Sequence, residues 1–371
     1  MSETLGYTTG QNITQGIRQQ GSPDYLVEIA RRLEAKPFKP HPLFPNGHAQ
    51  TLGAYAWPRR ALLLSGLGDE DRMFEVEPDV RLLAHCRWQA AEPKEQHPTV
   101  VLIHGLEGSS ASRYILGSAE KAYRLGFNVL RLNLRNCGDT EHLTPTLYNS
   151  GMSGDIRAVI HELIERDRLQ RIFLVGFSMS GNIVLKLAGE DADRIPREVA
   201  GICAVSPSVD LSSCAKAINL RANWVYKQSF LRSLRRRIRN KKKLYPDLYD
   251  TSDLHLVRTI RDFDERYTAV DGGYEGADDY YRRASALRLI PSIRVPSLII
   301  HAQDDPFIPF QPLRDASVTS NPYVLLLAPS RGGHVGFVAA DTAGGEDRFW
   351  AENRAVEFCR LTSERLGPLM P

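Results

Sequence analysis

The hexapeptide Gly176-Phe177-Ser178-Met179-Ser180-Gly181 sets a serine among small residues where an apolar run, 171–175, gives way to a segment rich in Ile, Val and Leu. At the apex of a tight strand-to-helix turn, such a serine stands above the sheet beside the unpaired amides of the new helix. That is the setting of a nucleophile for acyl transfer, with Ser178 as the attacking group. The usual pattern is G-x-S-x-G, and here Ser180 takes the place of the second glycine. Its hydroxymethyl group must fit where backbone is crowded, and it could compete as nucleophile. Ser178 is preferred because it holds the apex, whereas Ser180 falls in the first turn of the helix.

A serine hydroxyl is a weak nucleophile near neutral pH and needs a base, itself oriented by a carboxylate. Candidates follow in the order Ser, Asp, His. The apolar run 297–302 leads into Gln303-Asp304-Asp305-Pro306-Phe307-Ile308-Pro309, which puts a carboxylate at the carboxyl end of a strand, where open α/β sheets build their sites. Asp305 is the expected acid from its spacing to Pro309; Asp304 is the alternative, better suited to capping or bracing the turn. The next run, 323–328, leads to Ser330-Arg331-Gly332-Gly333-His334, a glycine-rich turn able to aim an imidazole, and His334 is the expected base. Earlier, His104-Gly105-Leu106-Glu107-Gly108 follows the first parallel strand. The N–H groups of Leu106 and Met179 are the expected oxyanion hole, with His104 bracing the loop. Metal binding is the competing use of His301, Asp304, Asp305 and His334, but their spacing matches neither H-E-x-x-H nor a di-metal carboxylate set. With no glycine-rich nucleotide loop either, neither metal nor cofactor is expected.

These side chains need a scaffold that brings distant strand ends together. From residue 98 onward, short aliphatic runs (99–103, 128–134, 171–177, 201–205, 297–302, 323–328) alternate with amphipathic segments (112–125, 152–168, 179–189, 347–365). This is the pattern of strands and crossover helices in a mainly parallel α/β sheet. Upstream, 73–80 and 81–88 alternate apolar and polar residues around Glu77-Pro78-Asp79, an antiparallel hairpin at the sheet edge. The alternation stops over 211–289, which reads as a helical cap inserted between core segments 41–210 and 290–371, after an N-terminal arm, 1–40. Within the cap, Trp224, Tyr226, Phe230 and Tyr281 are candidates to line an acyl pocket. Arg232, Arg235, Arg236, Arg237, Arg239, Lys241, Lys242 and Lys243 crowd one stretch of it. Such a run is either a solvated helix face or a patch attracted to anionic lipid surfaces or acidic substrates.

Among 371 residues, 42% are hydrophobic and 25% charged, the proportions of a globular protein rather than a disordered one. A net charge of +3 gives no strong overall positive field, which argues against nucleic acid as a partner. No stretch reaches the roughly 18 apolar residues of a membrane span, and the first residues lack the apolar centre of a secretory signal. Five scattered cysteines without a C-x-x-C pair suit neither a disulfide framework nor a zinc ribbon, and a reducing cytoplasm is expected.

With these residues located, the chain resembles the YheT-like, ABHD-type branch of the α/β hydrolase fold family over about 42–337. The likeness rests on Phe44-Pro45-Asn46-Gly47-His48-Ala49-Gln50-Thr51, Arg135-Asn136-Cys137-Gly138 and Thr259-Ile260-Arg261-Asp262-Phe263-Asp264. It rests also on Asp279-Tyr280-Tyr281 with Ala284-Ser285, on Asp304-Asp305-Pro306-Phe307, and on Gly332-Gly333-His334-Val335-Gly336-Phe337. The resemblance implies an eight-stranded, mainly parallel sheet with helices on both faces and a helical cap. It further implies hydrolysis of small-molecule carboxylic esters, short- to medium-chain or lipid-like, through Ser178, Asp305 and His334. Family members usually carry glycine where Ser180 stands. An acyltransferase or thioesterase would use the same triad, and a non-catalytic ligand-binding protein could keep the same fold.

Overall fold

The computed structural model describes residues 23–59, 69–90, 93–342 and 344–369. Strands β1 (Glu70–Glu77) and β2 (Val80–Arg87) form a hairpin whose turn holds Asp79 at φ 62°. They are followed by β3 (Thr99–Ile103), β4 (Asn128–Leu132), β5 (Ile172–Phe177), β6 (Val199–Val205), β7 (Ser297–Ile300) and β8 (Val324–Leu327). All eight join one sheet in the order β1-β2-β4-β3-β5-β6-β7-β8. Only β2 runs antiparallel to its neighbours, β1 and β4. Every residue of β3 to β8 is buried, so these strands must be apolar on both faces, whereas edge strand β1 exposes most of its charged side chains. β4 and β7 stop two residues before their apolar runs do, because pairing ends at Ile103↔Leu132 and Ile300↔Leu327.

Helices cover both faces. In chain order they begin with α1 (Asp24–Glu34), α2 (Gly47–Ala56), α3 (Arg113–Arg124), α4 (Ser153–Glu165) and α5 (Met179–Asp191). Within the cap come α6 (Leu211–Ile218), α7 (Trp224–Leu244), α8 (Ile260–Phe263), α9 (Ala269–Asp271) and α10 (Ala277–Ala284), and after it α11 (Ala316–Thr319) and α12 (Trp350–Arg365). Side chains alternate across the pleat: Val101, Ile103, Leu130, Leu174 and Ile202 pack with α4 and α5 in one core. Val100, Leu102, Val129, Phe173 and Cys203 pack with α1, α3 and α12 in the other. α1 lies inside the segment expected to be an arm. Its Leu26, Ile29, Ala30 and Leu33, at helical spacing, are buried in that second core, so this part is a packed helix. The rest of the expected arm, 1–22, lies outside the described residues.

Between β6 and β7 the cap builds its own small core from Leu231, Leu234, Ile238, Val257 and Phe263, closed below by Leu147. Asn182, one turn into α5, ties cap to sheet: its Nδ2 donates to the carbonyls of Ser150 and Ala284, and its Oδ1 accepts from the Ala286 N–H. Phe173 sits fully buried mid-sheet, edge-on to Phe127. Phe173→Ala should therefore cost about 3–5 kcal/mol of stability, read as a lower denaturant midpoint in chemical unfolding.

Candidate active site

Residue 178 is the hinge between β5 and α5, and its backbone lies at φ 55°, a region that non-glycine residues seldom occupy. The turn is over-determined: the Ser178 N–H donates to the Val205 carbonyl at 2.8 Å, and its own carbonyl accepts from Asn182. Opposite, the β3 loop approaches so closely that a Cβ at Gly105 would lie 2.9 Å from the Ser178 Cβ. Only glycine allows that approach.

Ser180 does not share the apex. It is fully buried as the second residue of α5, and its hydroxyl donates to the His104 carbonyl at the end of β3. The extra hydroxymethyl group is thus used as a tie between the elbow helix and the neighbouring strand.

The loops after β7 and β8 meet above this turn. His334 Nε2 lies 2.9 Å from Ser178 Oγ, and His334 Nδ1 lies 2.7 Å from Asp305 Oδ2. Asp305 has no exposed side-chain surface, and its Oδ1 accepts the N–H groups of Phe307 and Ile308 at 3.1 and 2.9 Å. Burial alone would raise this carboxyl; the charge and hydrogen bond of His334, with His301 and the Ile308 amide, outweigh it and hold the group below its ordinary value. Asp304 points the other way and accepts the Gly333 N–H at 2.9 Å, bracing the histidine loop.

Leu106 and Met179 line the same cavity as Ser178, and among the described residues neither backbone N–H donates to a protein acceptor. Two unpaired amides at the wall of one cavity are the donors that a developing oxyanion would need. His104 is buried between the loops, with Nδ1 2.8 Å from the Gly105 carbonyl and Nε2 accepting the Leu134 N–H. Burial, aided by the charge of Arg237, lowers its pKa to about 4 against the opposing bond to Gly105, so the ring is neutral. His301 is likewise buried, with Nε2 3.1 Å from the Ile308 carbonyl, and burial lowers its pKa. Among the described residues no group of His, Cys, Asp and Glu side chains is arranged to hold a metal ion.

A cavity of about 120 Å³ opens from Ser178 into the cap. Its walls are mainly apolar: Leu106, Leu211, Ile218, Phe230, Leu234 and Phe307 are among them. Of the four side chains expected there, Phe230 lines it. Tyr226 stands at its rim, stacked on His48 and tilted against Phe307, which in turn contacts the His334 ring at 4.2 Å between centroids. Trp224 does not belong to the lining, because the first turn of α7 projects from the protein and leaves it 60% exposed. Tyr281 is also turned away, its hydroxyl donating to Asp264 Oδ2, and the adjacent Tyr280 takes the place at the wall.

Two supports were not expected. The first is α2, from the Asn46-Gly47-His48-Ala49-Gln50-Thr51 stretch, which wedges under the histidine loop. Thr51 Oγ1 accepts the His334 N–H at 2.9 Å, and Gln50 bonds both backbone groups of Val338. A Cβ at Gly333 would run into the Gly47 carbonyl. The second is Arg237, taken in the sequence as one of a run of basic residues. It is buried at the cavity wall, donates through Nε to Glu107 Oε1 at 2.9 Å, and also bonds the Asn136 carbonyl. Tyr148 donates to the same Glu107 oxygen and accepts its N–H, so a cap side chain helps fix the loop that carries Leu106. Only the helical phase of α7 distinguishes Arg237 from its neighbours, and no local pattern signals it.

A profile of the alpha/beta hydrolase fold matches residues 98–340, and the chain belongs to the α/β hydrolase fold family. Within it the chain falls in the YheT-like branch: it is 32% identical to YheT of Escherichia coli, provisionally named an esterase, over 73% of this chain and 79% of that protein. A monoacylglycerol lipase of Saccharomyces cerevisiae is 36% identical over 72% of this chain, which spans 60% of the yeast protein's length. The solved Pyrococcus furiosus esterase Pf2001 shares the fold, with a TM-score of 0.51 at 17% identity, covering 79% of this chain and 92% of its own.

Two outcomes follow from the buried polar groups. An unfolded chain protonates His104 near its ordinary value of 6.5, whereas the folded site resists until about 4. The stability this contributes is complete above pH ~6.5 and is lost as pH falls toward about 4, on the order of 3 kcal/mol in all. Unfolding curves across that window should show a shallower acid loss for His104→Gln than for the parent. Arg237→Met strands the Glu107 carboxylate in the interior and should cost about 3–5 kcal/mol in the same assay. Adding Glu107→Gln should recover part of that cost, because the two residues act as one unit.

Proposed function

We propose that this protein is a serine hydrolase of carboxylic esters, short- to medium-chain or lipid-like, that works through an acyl-enzyme on Ser178. The observation that carries the reading is the unbroken line Asp305–His334–Ser178, with contacts of 2.7 and 2.9 Å. The names of the yeast and bacterial relatives, a lipase and an esterase, support the same chemistry.

In this mechanism His334 Nε2 takes the Ser178 proton as Oγ attacks the ester carbonyl. Negative charge gathers on the carbonyl oxygen between the Leu106 and Met179 amides, where preformed donors cost no reorganisation. The protonated His334 then gives its proton to the departing alkoxide, and the alcohol leaves. Water, deprotonated by the same ring, attacks the acyl-enzyme and returns Ser178 to its hydroxyl form. Asp305, kept ionised by its three hydrogen bonds, holds the His334 proton on Nδ1 and stabilises the imidazolium. The acyl chain occupies the apolar cavity beneath the cap, where Arg237 is neutralised by Glu107. A cytoplasmic location, in keeping with the scattered cysteines, belongs to the same reading.

Turnover of a chromogenic short-chain ester tests the assignment. Ser178→Ala should lower kcat by roughly 10⁴-fold or more. Ser180→Ala gives up one buried hydrogen bond and should keep activity within about tenfold of the parent. Equal losses in the two variants would overturn Ser178 as nucleophile.

A further inference from the structure

Of the eight cations in the basic run of the cap, Arg235 and Lys242 bond the Val257 and Pro246 carbonyls, and the helix divides the other six into two sets. Arg237 and Lys241 turn inward: Arg237 meets Glu107, and Lys241 Nζ bonds the carbonyls of Glu141 and Thr144. Arg232, Arg236, Arg239 and Lys243 turn outward, all exposed, at the three- and four-residue spacing that aligns side chains along one helix face. They continue a stripe that begins at Val225 and Ser229. From Arg232 to Lys243 the stripe is about 16 Å long. The whole of α7 contains no acidic residue, and among the described residues none of the four outward cations makes a hydrogen bond or ion pair.

At the amino end of this stripe the surface becomes apolar. Leu220, Trp224 and Val225 are 60%, 60% and 65% exposed, beside the exposed Arg221. The next residue, Tyr226, stacks on His48 of α2, and Leu52, one turn along from His48, is 55% exposed. Tyr226 also touches Phe307, which packs on the His334 ring. Exposed large apolar side chains therefore sit on both sides of the cavity rim, adjoining a row of unpaired cations.

We propose that the outer face of α7 together with the turn before it, from Leu220 to Lys243, docks the protein on an anionic lipid surface. The cations meet the headgroup charge, while Trp224, Val225 and Leu220 enter the boundary between headgroups and acyl chains. A row of cations alone would suit any polyanion. The apolar end selects a bilayer, because it gains only where apolar surface leaves water, and a tryptophan with one wet edge suits that boundary. No helix among the described residues is long and apolar enough to cross a membrane. Docking itself rests on this surface alone; its use, to bring lipid-like esters to the rim beside Tyr226 and Phe307, rests on the ester-hydrolase reading.

The experiment is co-sedimentation of the whole protein with vesicles of pure phosphatidylcholine and of equimolar phosphatidylcholine and phosphatidylglycerol. The protein should pellet with the anionic vesicles, stay in solution with the neutral ones, and be released by about 0.5 M salt. Replacing the four outward cations together (R232Q/R236Q/R239Q/K243Q) should weaken anionic-vesicle binding by roughly tenfold or more. Trp224→Ala should weaken it further and leave the salt dependence in place. Both variants should turn over a soluble short-chain ester within about twofold of the parent, since these side chains lie outside the catalytic line. Ser178→Ala protein should bind vesicles like the parent, so that failure of docking and failure of catalysis are read separately. Equal pelleting of the four-cation variant, equal binding to neutral vesicles, or binding to heparin or DNA without binding to anionic vesicles would each overturn the proposal.

Discussion

A serine held in a backbone conformation that L-residues resist is the constraint around which this molecule is arranged. Ser178 at φ 55° is tolerable only because the sheet clamps its amide, the helix clamps its carbonyl, and Gly105 leaves room for the loop opposite. Strain of this kind persists where the surroundings over-determine it. Here the surroundings are two fully packed faces of a mainly parallel sheet, which explains why so large a hydrophobic framework serves one half-buried hydroxyl.

Around that point each loop carries a task and a brace. Asp305 orients the imidazole while Asp304, its neighbour, anchors the following loop at Gly333. Leu106 offers an amide while Glu107, its neighbour, is gripped by Tyr148 and Arg237. Ser178 meets His334 while Ser180, two residues on, is tied to the His104 carbonyl. In each pair the brace lies within two residues of the group it supports. A site built this way gains rigidity from residues that never touch a substrate.

The framework and the cluster of Ser178, Asp305 and His334 were legible in the sequence for a common reason. A strand buried on both faces is a short unbroken apolar run, and a run that ends in Asp-Asp or in Gly-Gly-His announces what stands at its tip. Strand ends were overestimated at 133–134 and 301–302, where the chain stays buried after its pairing partner has ended. Side-chain direction on helices was the harder problem. Tyr280 and Tyr281 are consecutive, so only rotational phase decides which meets the cavity and which meets Asp264. Trp224 was misplaced because an aromatic residue at the first turn of a helix need not share the face of those that follow. Arg237 was hidden among residues of its own kind, since a pattern of like charges carries no mark of which member is buried. The role of α2 was invisible for another reason: its contacts with residues 333–338 are long-range, and a local pattern cannot report its distant partner.

That last contact also bears on how the polypeptide is made. Thr51 is synthesised before Ser178, and Ser178 before His334, yet all three meet in one cluster. Until a ribosome has added residue 334, the Ser178 hydroxyl has neither its imidazole partner nor the loop that α2 supports. On the ester-hydrolase reading proposed above, the growing chain therefore has no turnover until the loop after β8 has docked against α2.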